Sequence, residues 1–169
     1  MEQNVFLVKW FGPFNTIKEV EEWEKINGAC KLYLFGGMKK YAKKKLTYYC
    51  GETTRSAFER LKDSNHGSYG PKTEKALSNH NIKKISNRVS SIYIGRISNV
   101  KRPTDNQVRL VEKVLTAYLD SFIGRDSMLN ETNFAFPKSN IYIVNEWWKP
   151  YITEVWQRQS KDAPSHHIP

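Results

Sequence analysis

Apolar positions near the start of the chain change from a strand-like run to a helical spacing. The stretch NVFLVKWF is rich in β-forming residues and predicts a short strand. After the turn GPFNT, apolar residues recur at three-residue steps, with Thr16 and Glu19 at capping-box spacing and Gly28 beyond the last of them. This pattern predicts an amphipathic helix over residues 16 to 27.

The middle of the chain alternates between strand and helix patterns. CKLYLF and LTYYCG each predict a strand, and the glycine- and lysine-rich stretch GGMKKYAKKK between them is typical of a long β-hairpin connection. TTRSAFERLKDS, with Thr53 or Thr54 as its N-cap, predicts a helix of about two to three turns. A second short helix is expected over KTEKALSNH, and another strand over RVSSIYIGRI.

The strongest helical pattern lies in the C-terminal half. Thr104 and Gln107 have capping-box spacing, an apolar stripe continues to about residue 122, and Gly124 follows it. Beyond this helix, IYIVNEWW predicts an edge strand, YITEVWQRQ a short terminal helix and SKDAPSHHIP a frayed tail. The order of elements predicts one small α+β domain built on a short mixed sheet.

Composition and charge narrow the classes of function. No apolar run approaches the roughly 20 residues that span a bilayer, and the N-terminus lacks a signal-peptide core. The two cysteines, Cys30 and Cys50, are too few for a disulfide scaffold. We therefore expect a cytoplasmic protein without a membrane partner. The net charge of +10 favours a polyanionic partner, because excess Lys and Arg attract phosphate backbones whatever their sequence.

Two tyrosine-containing stretches are candidates for the catalytic site. The tripeptide Tyr93-Ile94-Gly95 is preceded by helical and loop sequence, and the arginine downstream of it, Arg102, directly precedes Pro103, which disfavours helical geometry. We interpret this tripeptide as part of an ordinary strand. Tyr33 and Tyr49 lie instead on the two strands of the predicted hairpin, where a suitable register brings their phenols to one face.

The hairpin is followed by features that suit phosphate chemistry. Gly51 allows a sharp turn into the next helix and close approach of backbone to a phosphate. That helix carries Arg60, whose planar guanidinium matches paired phosphate oxygens, and a competing Arg55 near its start. Glu112 lies at the edge of the apolar stripe of the long helix, where the alternative interpretation is an ion pair with Arg109.

Together these stretches resemble the GIY-YIG nuclease family. Lys31-Leu32-Tyr33 and Tyr49-Cys50-Gly51 are similar to its two tripeptides, SAFERL to its arginine helix, LVEKVLTAYLDSF to its glutamate helix, and LNETN to its asparagine segment. The resemblance covers about residues 29 to 135 and implies a nuclease core with a central mixed or antiparallel three-stranded sheet flanked by helices. Residues 1–28 are then an N-terminal strand-helix extension of the single 1–169 domain, and residues 136–169 a C-terminal extension and tail.

Two features depart from the family pattern. Arg60 follows Tyr49 by eleven residues, one more than is usual, and Ser64 occupies the place of the histidine that many members carry one turn later. His66, in the loop beyond the helix, is the nearest candidate to replace that histidine.

The resemblance implies a metal-dependent DNA endonuclease, and each site residue receives a role from it. Glu112 is the ligand of a Mg²⁺ (or Mn²⁺) ion, and Arg60 contacts the scissile phosphate. Tyr33 is the preferred general base, with Tyr49 helping to position the attacking water. Asn130, with Asn133 as a rival, braces the metal site or the substrate. The alternative for both tyrosines is a structural place in the sheet with hydrogen-bonded hydroxyls.

The lysine-rich hairpin connection is expected to bind the DNA backbone, although a solvated loop has the same composition. The predicted DNA-binding residues are Lys39, Lys40, Lys43, Lys44, Lys45 and Arg55. We expect double-stranded DNA as the partner, and a homodimer if the enzyme is of restriction type and cuts both strands. The alternatives are a non-catalytic nucleic-acid-binding domain on the same fold and a basic protein–protein interaction domain.

Overall fold

The computed structural model describes residues 4–39, 46–62, 85–130, 141–147 and 153–157. Within these residues the chain forms six strands, three α-helices and one 3-10 turn at Arg125–Ser127. The strands are β1 (Asn4–Phe14), β2 (Leu32–Lys39), β3 (Leu46–Glu52), β4 (Ile85–Ile97), β5 (Ile141–Trp147) and β6 (Thr153–Gln157). The helices are α1 (Ile17–Asn27), α2 (Ala57–Lys62) and α3 (Asp105–Ile123).

The strands form one mixed sheet in the order β3-β2-β4-β1-β5-β6. β1 and β5 are parallel, and every other neighbouring pair is antiparallel. The predicted class, α+β with a mixed sheet flanked by helices, is confirmed. The predicted number of three strands is wrong: β3, β2 and β4 are consecutive in the sheet, and β1, β5 and β6 extend it beyond β4.

Two of the three further strands, β1 and β5, were predicted as strands but outside the three-stranded core, and the third, β6, was predicted as a helix. β1, from the predicted N-terminal extension, lies between β4 and β5 in the interior of the sheet. The predicted edge strand over IYIVNEWW is β5, which pairs with β1 on one side and β6 on the other. The terminal helix predicted over YITEVWQRQ is wrong for residues 153–157, because these residues hydrogen-bond to β5 as β6 instead.

Helices cover both faces of the sheet. α3 packs on one face, where its buried residues join Leu32, Leu34 and Cys50 in one apolar cluster. α1 and α2 pack on the other face against a cluster that contains Tyr33 and Phe35. Because successive side chains of a strand point to opposite faces, β2 contributes to both clusters.

The predicted ends of the two long helices are confirmed. The Thr16 hydroxyl accepts a hydrogen bond from the Glu19 backbone N–H at 3.2 Å, and Thr104 and Gln107 form the predicted capping box of α3. Gly28 and Gly124 follow these helices with φ values of 86° and 79°, which residues with a Cβ rarely adopt.

The N-cap predicted for the short helix is wrong. Ser56, not Thr53 or Thr54, caps α2: its hydroxyl accepts from the Glu59 backbone N–H at 3.0 Å, and the Glu59 carboxylate accepts from the Ser56 N–H at 3.3 Å. The helix predicted over KTEKALSNH lies outside the described residues. In the described ranges, none of the helices combines the length and the apolar character required to cross a bilayer.

Candidate active site at the β3 edge

The hairpin register brings the two tyrosines to one face of the sheet. Tyr33 pairs with Gly51 and Phe35 pairs with Tyr49, so these three aromatic side chains share a face. The rings of Tyr33 and Tyr49 stack with centroids 6.2 Å apart, and Phe35 stacks on Tyr49 at 5.1 Å. The expected convergence of the two phenols is therefore present: Tyr33 and Tyr49 are diagonal neighbours across the hairpin, and Phe35 lies directly opposite Tyr49.

Gly51 is required because the Tyr33 ring lies directly over it. A Cβ at this position would lie only 2.7 Å from the ring atom Cε2 of Tyr33. Gly51 is not among the glycines with positive φ. The absence of a side chain at Gly51 therefore leaves room for the Tyr33 ring to lie across β3. The sequence had suggested a different role, a sharp turn into the next helix.

Arg60 lies on α2 and reaches the same phenol. Its Nε donates a hydrogen bond to the Tyr33 hydroxyl at 3.4 Å, which joins two of the predicted site side chains directly. Arg55, the competing arginine, lies before α2 and is exposed. Its backbone N–H donates to the Thr53 hydroxyl at 3.1 Å. The geometry therefore pairs Tyr33 with Arg60.

Glu112 approaches this cluster from the helix on the opposite face of the sheet. It is only 5% exposed, and its Oε1 accepts a hydrogen bond from the Thr116 hydroxyl at 3.1 Å. The meeting place is β3, which is the first strand in the sheet order and packs against α3. There the Glu112 charge acts on Cys50, Tyr33 and Tyr49 together.

Burial dominates the electrostatics of the two phenols. Burial raises the pKa of Tyr33, the hydrogen bond and charge of Arg60 oppose that rise, and the charges of Cys50 and Glu112 add to it. Burial also raises the pKa of Tyr49, and the neighbouring Tyr33 and Glu112 strengthen the effect. For a tyrosine to act as general base at neutral pH, surrounding cations must lower its phenol pKa. In the free protein the pKa values of Tyr33 and Tyr49 are raised instead. Both phenols are therefore protonated at neutral pH.

Asn130 is engaged by the backbone of β3. Its Oδ1 accepts from the Cys50 N–H at 3.0 Å, and its Nδ2 donates to the Cys50 carbonyl at 2.7 Å. Next to it, the Leu129 N–H donates to the Tyr48 carbonyl at 2.8 Å, so the segment after α3 lies along β3 as a short parallel strand would. In this geometry Asn130 braces the strand that carries Tyr49.

Several predicted residues cannot be placed. His66, Lys40, Lys43, Lys44, Lys45 and the rival Asn133 lie outside the described residues, and Lys39 is described only as backbone at the end of β2. The literal tripeptide lies on β4, where Tyr93 pairs with Leu34 and contacts Trp147 edge-on at 5.4 Å. Tyr93 therefore lies on the opposite face from Tyr33, as expected for a strand residue outside the site.

The sequence interpretation missed two side chains that contact the site elements. Thr116 donates to Glu112, as described above. Glu24, on α1, is 9% exposed and accepts three backbone N–H bonds near the starts of β2 and α2. Its position was detectable, because Glu24 has the same helical phase as the buried Ile17 and Val20. A carboxylate at an apolar phase indicates a specific polar partner.

The donor set around Glu112 limits which metal ion fits. In the ranges that the structure covers, no group of three or more His, Cys, Asp and Glu side chains could hold a metal. Glu112 is a single carboxylate, and a single carboxylate is a ligand that Mg²⁺ would accept while water completes its coordination. Comparison of the chain with family models, with curated proteins and with solved structures returned no match.

Proposed function

We propose that the protein is a metal-dependent endonuclease that hydrolyses phosphodiester bonds in DNA at a site of GIY-YIG type. The observation that carries the proposal is the hydrogen bond between Arg60 and Tyr33 beside Tyr49, with the Glu112 carboxylate near enough to act on both phenols. These groups come from β2, β3, α2 and α3 and are up to 79 positions apart, between Tyr33 and Glu112.

Each side chain has a chemically distinct task in phosphodiester hydrolysis. Arg60 stabilises negative charge on the nonbridging oxygens of the phosphate, for which its planar donors are suited. Tyr33 and Tyr49 orient the attacking water. The general-base role requires Tyr33 as a phenolate, and burial keeps the phenol protonated in the free protein, so binding of substrate and metal would have to lower its pKa and release that proton to solvent first.

Glu112 would hold the Mg²⁺ ion, and its hydrogen bond from Thr116 fixes one of its oxygens. A bound Mg²⁺ supplies charge stabilisation for the phosphate oxygens and for the departing oxygen. The net charge of +10 favours association with DNA, and exposed Arg55 and Lys62 before and at the end of α2 lie near Arg60 in sequence.

The alternative function is a DNA-binding domain on the same fold that does not cut. One observation favours it specifically: Tyr33 is buried, Tyr49 is partly buried, and both phenols have raised pKa values, as structural tyrosines have. The basic charge serves both functions equally, so only a measurement of cleavage separates them.

Incubation with supercoiled plasmid tests the proposal. We expect nicked or linear DNA with Mg²⁺, no product with EDTA, and loss of cleavage with retained DNA binding in Glu112→Gln. Glu22→Gln, on the exposed side of α1, is the matched control and should cleave like the unchanged protein. Circular dichroism confirms that each variant is folded. DNA binding without any cleavage by the unchanged protein would establish the non-catalytic alternative.

A further inference from the structure

Glu24 is a buried helix residue whose carboxylate contacts the backbone of two other segments. Its Oε1 accepts from the Cys30 N–H at 2.7 Å and from the Ala57 N–H at 3.2 Å, and its Oε2 accepts from the Phe58 N–H at 3.1 Å. Hydrogen bonds from backbone N–H groups compensate a carboxylate for the loss of water. The three bonds therefore account for a carboxylate that is only 9% exposed.

The start of α2 is capped both by residues of its own first turn and by Glu24, which accepts from the Ala57 and Phe58 N–H groups. Ser56 and Glu59 already form reciprocal hydrogen bonds at the start of this helix. The Glu24 hydrogen bonds also connect three elements, because they join the start of α2 to helix α1 and to the residues just before β2.

The three donors lie close in sequence to the two groups that form the core of the site. Cys30 precedes Tyr33 by three residues, and Ala57 precedes Arg60 by three. The Ala57 N–H also donates to the Cys30 carbonyl at 2.8 Å, so the two starts touch directly and share the Glu24 carboxylate. The bond from Arg60 to Tyr33, at 3.4 Å, lies at the long end for N–H···O bonds and is sensitive to a small displacement of α2.

We propose that Glu24 is a positioning residue that holds Arg60 in place against Tyr33. Helix α1, which lies outside the stretch that resembles the nuclease family, is thereby part of the site. The consequence for cleavage rests on the proposed function, whereas the consequence for the Tyr33–Arg60 contact does not.

The test compares Glu24→Gln with Arg60→Ala and with the control Glu22→Gln. Gln has the length of Glu but turns an N–H donor toward one of the three backbone donors. NMR of ¹³C-labelled tyrosine rings, assigned with Tyr33→Phe, reports the Tyr33 environment. We expect Glu24→Gln and Arg60→Ala to shift the Tyr33 signals, and Glu22→Gln to leave them unchanged.

Single-turnover cleavage is the second measurement. We expect Glu24→Gln to lower the rate by about 10- to 100-fold, the effect of a small misplacement of a catalytic group, at unchanged affinity for DNA. The double variant Glu24→Gln/Arg60→Ala should be no slower than Arg60→Ala, because a positioning residue acts only through the group that it positions.

The outcomes distinguish the two proposals. If the unchanged protein does not cleave DNA, the proposed function fails, and the tyrosine spectra still decide the role of Glu24. Unchanged Tyr33 signals in folded Glu24→Gln would overturn the positioning role, as would a further rate loss in the double variant. If Glu24→Gln does not fold, Glu24→Asp, which keeps the charge and shortens the reach by one methylene, is measured in the same way with the same expectations.

Discussion

Replacement of Asn130 by alanine separates two roles that this side chain could have. If Asn130 serves metal or substrate, Asn130→Ala should reduce cleavage and leave stability nearly unchanged. The structure instead gives it two hydrogen bonds to the backbone of Cys50, a residue that is 0% exposed. We therefore expect a loss of stability first, with reduced cleavage as a consequence of a displaced β3.

The magnitude follows from those two bonds. Each is worth about 1 kcal/mol net, and the Cys50 groups left without their partner add a desolvation cost, so the free energy of unfolding should fall by about 2 to 4 kcal/mol. Asn130→Asp keeps the acceptor for the Cys50 N–H but sets a carboxylate oxygen against the Cys50 carbonyl. It should be at least as destabilising as Asn130→Ala.

Asn99 offers a matched control elsewhere in the fold. Its Oδ1 accepts from the Leu7 N–H at 2.9 Å and its Nδ2 donates to the Val5 carbonyl at 2.8 Å, the same pair of bonds made to β1 at an exposed place. Water can replace these bonds, so Asn99→Ala should lose only about 1 kcal/mol. It should cleave DNA at the unchanged rate.

Urea denaturation followed by circular dichroism gives the free energies, and plasmid cleavage under conditions where every variant is folded gives the rates. The reasoning is refuted if Asn130→Ala is as stable as the unchanged protein. If Asn130→Ala is stable but no longer cleaves, Asn130 instead acts directly on the metal or the substrate.

Three further changes test other parts of the site. Arg60→Lys should slow single-turnover cleavage more than it weakens DNA binding in gel shifts, because an ammonium lacks the planar donors that pair with phosphate oxygens. Gly51→Ala would set a methyl group against the Tyr33 ring, and calorimetry should show a loss of about 1 to 3 kcal/mol together with reduced cleavage. Burial raises the pKa of Cys30 from 9.0 to about 12, so above pH 9 the unfolded chain releases this proton first and stability falls as pH rises, by up to about 1.4 kcal/mol per pH unit. Urea denaturation from pH 8 to 11 should show a shallower fall in Cys30→Ala.

Local patterns in the sequence were enough to predict much of the fold and the core of the site. Helices α1 and α3 combine apolar periodicity with caps at both ends, and each of these signals depends only on neighbours in the chain. The hairpin of β2 and β3 also forms from adjacent segments, so the approach of Tyr33 to Tyr49 needed only strand alternation and a register. The place of Arg60 on a helix after this hairpin followed from the local pattern, whereas its selection over Arg55 rested on the resemblance to the nuclease family.

The remaining features depend on contacts between distant segments. β1 could not be placed in the sheet interior, because its partners β4 and β5 follow it by many residues and one of them is parallel to it. The segment of β6 contains an apolar spacing compatible with a helix, and pairing with β5 decided its structure. The apolar helical phase of Glu24 indicates a polar partner but does not identify it, because the partners of Glu24 and Asn130 include backbone groups of distant segments.

The position of Glu112 affects the pKa values of both phenols. Arg60 lowers the pKa of Tyr33, but a phosphate that engages Arg60 would weaken that effect, so Arg60 cannot serve both groups fully at once. The Glu112 charge raises the pKa of both Tyr33 and Tyr49. Neutralisation of that charge therefore removes a cause that keeps both phenols protonated. The coupling acts across the sheet, because α3, which carries Glu112, packs on one face and against β3, whereas Tyr33 lies on the other face.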